Sequence, residues 1–177
     1  MSETNIKKET VDEKVLKVPG YDILYPKSWN LHGFARVVVF VKKNFQYEQV
    51  TELEDDNVQS VWLKGGFKNS KNMYFCHAYR EHSSMLGDSI NSQKVYLARF
   101  LSQWEAASEH NFPAEPNEVH ISCDMNLDFS SDKWLNPRYN LCSTTKQVQN
   151  VCNTHNFSQL KGEAKKTSLN VWLIILA

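Results

Sequence analysis

The sequence carries no net charge, because 20 Lys and Arg are balanced by 20 Asp and Glu among its 177 residues. A strongly basic coat for nucleic acid is thereby excluded, although a local basic patch is not. It also lacks any Cys-x-x-Cys pair. Cys76, Cys123, Cys142 and Cys152 are spaced for neither a zinc site nor a disulfide framework. Free thiols are expected, with Cys76 and Cys123 as small core residues inside apolar runs. Long hydrophobic runs are missing too. The apolar stretch Val171–Ala177 has seven residues, whereas a membrane span needs about 20, so it reads as a buried strand. Residues 1–20 hold four Lys, four acids and no apolar run, so no signal peptide is expected. The expected location is intracellular, with no membrane contact and the compartment unknown. There is no internal repeat and no low-complexity tract.

What is present is core-forming material. Hydrophobic residues make up 41% and aromatics 12%, which excludes a mainly disordered chain or a disulfide-stapled miniprotein. Five Trp and seven Tyr suit a mixed α/β or β-rich core better than a helical bundle. The length suits one domain, residues 1–177.

Ala35–Val41 is nearly all apolar or β-branched and reads as a strand covered on both faces. Tyr47–Leu53 and Val58–Leu63 read as strands separated by the acidic turn Glu54–Asn57. Turn residues from Gly65 to Asn72 then make a long-tipped hairpin with the strand Met73–Tyr79. From Ile90 to about Ala107, Leu97, Leu101 and Trp104 recur at helical spacing, and Ser89 or Asn91 is placed to cap that helix. Val119–Asp124 is a short strand, Val148–Phe157 a shorter helix, and the C-terminal run a last strand. This order predicts stacked sheets with helices outside them.

Two constellations carry chemistry. At the end of the Val119–Asp124 strand, Asp124 and Asn126 lie two residues apart. The carboxylate can move a proton or hold a hard cation, and the amide can donate to a phosphoryl oxygen without adding charge. Taken alone, D-x-N is more often an ordinary turn. At the end of the preceding strand, Tyr79 and Arg80 can both donate to phosphate oxygens, although a strand Tyr followed by a surface Arg is the plainer reading. Charge is uneven around these motifs. Residues 63–80 contain Lys64, Lys68, Lys71 and Arg80 and no acid, whereas residues 101–128 contain six acids and no Lys or Arg. Of the histidines, His82 is the candidate for a substrate contact. His32, His77, His110, His120 and His155 lack ligand-like spacing.

In order along the chain, these pieces resemble the endonuclease/exonuclease/phosphatase superfamily. More closely, they resemble the endonuclease domain of LINE-type non-LTR retrotransposon reverse transcriptases. The family's S-E-T segment corresponds to Ser2-Glu3-Thr4, followed by Pro19-Gly20-Tyr21 and by Gly33 leading into the strand to Val41. Its Y-R motif corresponds to Tyr79-Arg80 and its G-D-x-N strand end to Cys123-Asp124-Met125-Asn126. The resemblance implies two stacked β-sheets flanked by helices, an α+β fold in a four-layer α/β-β/α sandwich. It implies a hydrolase that cleaves the DNA phosphodiester backbone with Mg²⁺ or Mn²⁺, and no stable protein partner can be read from it. Under it, Glu3 is the metal-binding carboxylate, and Tyr79 and Arg80 position the phosphate. Asp124 protonates the leaving oxygen or orients the nucleophile, and Asn126 holds the phosphoryl group. These four motifs are expected to converge in one cleft.

The sequence departs from the family pattern at several points. Asn5 stands for a Trp, Cys123 for a Gly, and Glu81-His82 follows Tyr-Arg where a Pro is usual. The domain is expected to be partial at both ends. Without the family's first strand, an uncovered edge is expected beside Val37–Val41, and with it association. No Asp follows Asp132 and no His follows His155, so the family's C-terminal Asp-His pair has no counterpart. Weak or absent turnover is therefore expected. A non-catalytic module for nucleic acid or protein on the same scaffold is the alternative.

Overall fold

A computed structural model describes residues 2–11, 16–66, 73–80, 90–109, 118–124, 141–154, 157–160 and 172–176. The chain begins with strands β1 (Ser2–Lys7) and β2 (Tyr21–Leu24), then the one-turn helix α1 (Ser28–His32). Strands β3 (Phe34–Val37), β4 (Val39–Lys42) and β5 (Tyr47–Gln49) follow. Next come β6 (Gln59–Gly65), β7 (Met73–Tyr79), α2 (Ile90–Glu109) and β8 (Glu118–Asp124). The last elements are α3 (Leu141–Thr154), β9 (Phe157–Leu160) and β10 (Trp172–Leu176).

Six strands form one sheet in the order β5-β6-β7-β8-β10-β9. Within it β6 and β7 run antiparallel from Gln59↔Tyr79 to Gly65↔Met73, which is the expected hairpin. Strands β7 and β8 are parallel. A parallel pair needs a crossover, and α2 provides it. Beside this sheet lie two antiparallel ladders, β1 with β3 and β2 with β4. Strands β3 and β4 are consecutive, with Val38 between them.

Three apolar clusters define the layers. Leu97, Phe100, Leu101 and Trp104 of α2, with Val148 and Val151 of α3, cover Trp62, Tyr74, Cys76, Ala78, Ile121 and Cys123 on one face of the large sheet. On its other face Val61, Leu63 and Tyr79 meet Val37, Val39 and Val41. Beyond those, Trp29 of α1 packs on Ala35 and Val38 with Ile23 and Phe40. Helices, sheet, second β layer and α1 therefore make the expected four layers, with the 34–42 strands covered on both sides.

Left-handed backbone occurs where the chain must turn sharply. Gly33 (φ 68°) ends α1, its N–H bonding to the Trp29 carbonyl at 3.0 Å, and Gly20 (φ 82°) leads into β2. A side chain would strain either position.

Four expectations need correction. Thr51–Leu53 is a 3₁₀ turn and not strand. Helix α3 begins at Leu141 and ends at Thr154, and Phe157 starts β9. Apolar spacing pointed only to its second half, because Ser143, Thr144 and Thr145 carry little helical signal of their own. Glu54 is no exposed turn residue. It is 3% exposed, its Oε2 accepting from Lys27 N–H (2.6 Å) and its Oε1 from Gln49 Nε2 (2.9 Å) and Trp62 N–H (3.0 Å). Lastly, the Val37–Val41 segment is paired and covered among the described residues. Val37, Val39 and Val41 are 1%, 7% and 7% exposed, because they pack on Val61, Leu63 and Tyr79 of the large sheet, while β1 and β2 pair with β3 and β4.

Candidate active-site edge

Alternation along β7 and β8 sets up the site. Tyr74, Cys76 and Ala78 point under the helices together with Val119, Ile121 and Cys123. Strand period 2 then sends Phe75, His77 and Tyr79, with His120, Ser122 and Asp124, to the opposite face. Parallel register pairs them as Phe75↔His120, His77↔Ser122 and Tyr79↔Asp124. The two strongest sequence candidates therefore stand side by side at the C-terminal ends of adjacent parallel strands, about 4.8 Å apart in backbone spacing. That edge is where open α/β sheets bind ligands. One further bond closes it, from Arg80 N–H to the Asp124 carbonyl at 2.8 Å.

The environment of each residue differs. Tyr79 is 8% exposed, its ring packed with Val37 and Val61. Asp124 is half-buried. Arg80 is 3% exposed. Burial pushes its pKa down, opposed by the neighbouring Tyr96. Sunk to this depth, the guanidinium does not stand at the surface as a phosphate contact is expected to. Of Glu3 the backbone alone is described, in β1, a strand that contacts both β3 and β7. Its neighbour Thr4 has a structural task, donating from Oγ1 to the Ala35 carbonyl at 2.9 Å. Asn126, Glu81, His82 and the capping candidate Ser89 lie outside the described residues.

Among the described residues no group of three or more His, Cys, Asp or Glu is gathered as a metal cage.

Cysteine chemistry is absent from the edge. Cys76, Cys123 and Cys152 are free thiols. Burial pushes the Cys152 thiol up to about 11 and raises Cys76 and Cys123 as well. All three stay protonated and inert near neutrality.

Sequence reasoning missed two features of the inner face. A pocket of about 700 Å³ opens between the layers, its walls including Val39, Val41, Phe45, Leu63, Phe75 and His77. The His120 ring stacks on Phe75 at 5.3 Å, with its Nε2 2.8 Å from Glu118 Oε1 but off the line of a hydrogen bond. Only the β7–β8 register brings these residues together. Burial lowers the pKa of His77 from 6.5. Its folded value lies below its unfolded one, so its contribution to stability is complete above pH 6.5 and is lost as pH falls through the folded value. Urea unfolding midpoints between pH 8 and pH 5 are expected to fall more for the wild type than for His77→Leu. Parallel curves would remove this role.

No protein-family model matches the sequence, and no curated protein matches it by sequence similarity. Structure does find a match. Superposition on the endonuclease domain of TRAS1, a telomere-specific non-LTR retrotransposon, gives a TM-score of 0.58 at 13% identity and covers 89% of this chain. The chain spans 65% of the length of that domain. Its two packed β layers with helices outside them are thus similar in fold to that endonuclease domain.

Proposed function

We propose that this domain engages the DNA phosphodiester backbone at the β7–β8 edge, as a metal-dependent endonuclease-like module of retrotransposon origin. The observation that carries the reading is the Tyr79↔Asp124 pair at the ends of two parallel strands, within a nuclease-like fold. Tyr79 donates its phenolic hydrogen to a non-bridging phosphate oxygen. Asp124 holds or moves a proton at the leaving oxygen. Asn126, two residues beyond Asp124 in the sequence, donates to the phosphoryl group. Glu3 would hold Mg²⁺ or Mn²⁺, which neutralises charge developing on the phosphate when bound. Arg80 ties the two strand ends together through its backbone N–H, which donates to the Asp124 carbonyl.

The burial of Arg80, which withdraws one phosphate contact from the surface, favours a second reading, in which the same edge holds nucleic acid or protein without cutting.

Fluorescence anisotropy with a labelled DNA duplex tests the binding step. Affinity should fall with salt, the logarithmic slope reporting about 0.9 per neutralised phosphate. Tyr79→Phe should weaken binding about tenfold to a hundredfold, the worth of one hydrogen bond to a charged group. Unchanged affinity in that variant, or binding indifferent to salt, would remove the proposal.

A further inference from the structure

We infer that Tyr96, on the helix side of the large sheet, is a positioning residue for the Tyr79–Asp124 edge. The inference rests on the function proposed above for that edge. Tyr96 is half-buried on α2 and packs against the core beneath the sheet. Its hydroxyl accepts from Gln59 N–H at 3.1 Å and donates to the Tyr79 carbonyl at 3.2 Å. A phenol can do both at once. Gln59 and Tyr79 are register partners at the end of the β6–β7 ladder. The hydroxyl therefore bridges the last rung of that ladder, where strand ends otherwise fray.

One residue further on, Arg80 N–H bonds to the Asp124 carbonyl at 2.8 Å. A continuous chain of contacts thus runs from α2 through the Tyr79 carbonyl and the Arg80 amide to Asp124. Every link is a backbone group of the two strands that carry the candidate side chains. The electrostatic influence of Tyr96 on the buried Arg80 agrees with this proximity. Holding reacting groups to a fraction of an ångström is what such supporting contacts contribute.

Tyr96→Phe removes the bridge and keeps the ring. In the intact chain, held well below its melting temperature, amide hydrogen exchange is read at Arg80 and at Cys76 in the middle of β7. Exchange at Arg80 should accelerate about fivefold relative to Cys76, the worth of one ordinary hydrogen bond. Affinity for the labelled duplex should fall by a similar factor with its salt slope unchanged, because no phosphate contact is lost. An unchanged Arg80-to-Cys76 ratio would overturn the inference. So would a variant that melts earlier yet binds DNA like the wild type, since that describes a merely structural bond. A wild-type chain that does not bind DNA overturns the proposed function instead, and the exchange ratio still decides whether Tyr96 holds the edge.

Discussion

Supercoiled plasmid incubated with this chain and Mg²⁺ is expected to stay supercoiled, or to be nicked only marginally above background. Phosphodiester hydrolysis needs a group to activate the attacking water, and general acid–base help is worth about 10²–10⁴ in rate. The described histidines do not supply it well. His120 shares a face with Asp124 but lies four residues back along β8, about 13 Å away, and it stands against Glu118 and Phe75. His77 is two residues from Tyr79, about 7 Å along the strand, and burial holds its pKa down. His32 sits exposed on α1, in a different layer. Electrostatic stabilisation by the remaining groups can still leave a trace of activity. The measurement compares the wild type with Asp124→Ala, each with and without EDTA. Robust, metal-dependent nicking abolished by that substitution would show that the water is activated within these 177 residues. His77→Asn would then be the first variant to make.

Glu54→Ala is expected to destabilise the fold by about 3 kcal/mol, the cost of leaving buried donors without their acceptor. Glu54 joins the residue preceding α1, strand β5 and strand β6 through the donors Lys27 N–H, Gln49 Nε2 and Trp62 N–H. Removal leaves buried donors without their acceptor and opens a cavity beside Trp62, which is 0% exposed. Glu54→Gln should cost less, because it keeps one acceptor oxygen while turning an NH₂ toward a donor. Urea denaturation gives the differences directly, and a loss under 1 kcal/mol for the alanine variant would refute the network's role.

The pH dependence follows from burial. Desolvation raises the Glu54 carboxyl above its ordinary 4.5, with the three donors and Lys27 opposing. A carboxyl whose folded pKa is raised binds its proton more tightly when folded. Its contribution is therefore complete below the unfolded value and falls as pH rises through the folded one. The wild-type advantage over Glu54→Ala should accordingly be largest in acid and shrink toward neutrality.

Much of the architecture was readable from residue pattern. The β-branched run at Ala35–Val41, the hairpin of β6 and β7, the Leu97–Leu101–Trp104 face of α2 and the strand ending at Asp124 each announce themselves by period. So does the apolar C-terminal strand. Strand β9 and the first half of α3 were not readable. A four-residue strand and a Ser/Thr-rich helix start carry weak local signals, and packing decides them. The burial of Glu54 was equally hidden, since an acidic turn and a buried acid look alike until the donors around them are known.

For the site, the sequence by itself determined which chemical groups are available: a phenol and a guanidinium ending one strand, a carboxylate and an amide ending another. Only the tertiary structure decided which of these groups meet. The crossover through α2 makes β7 and β8 parallel neighbours, and register sets Tyr79 beside Asp124. A slip of one residue would turn either side chain to the helix face. The same packing sinks Arg80 to 3% exposure and brings the Tyr96 hydroxyl to the Tyr79 carbonyl. Such contacts join residues distant in sequence through a shared sheet, and no local pattern of residues encodes them.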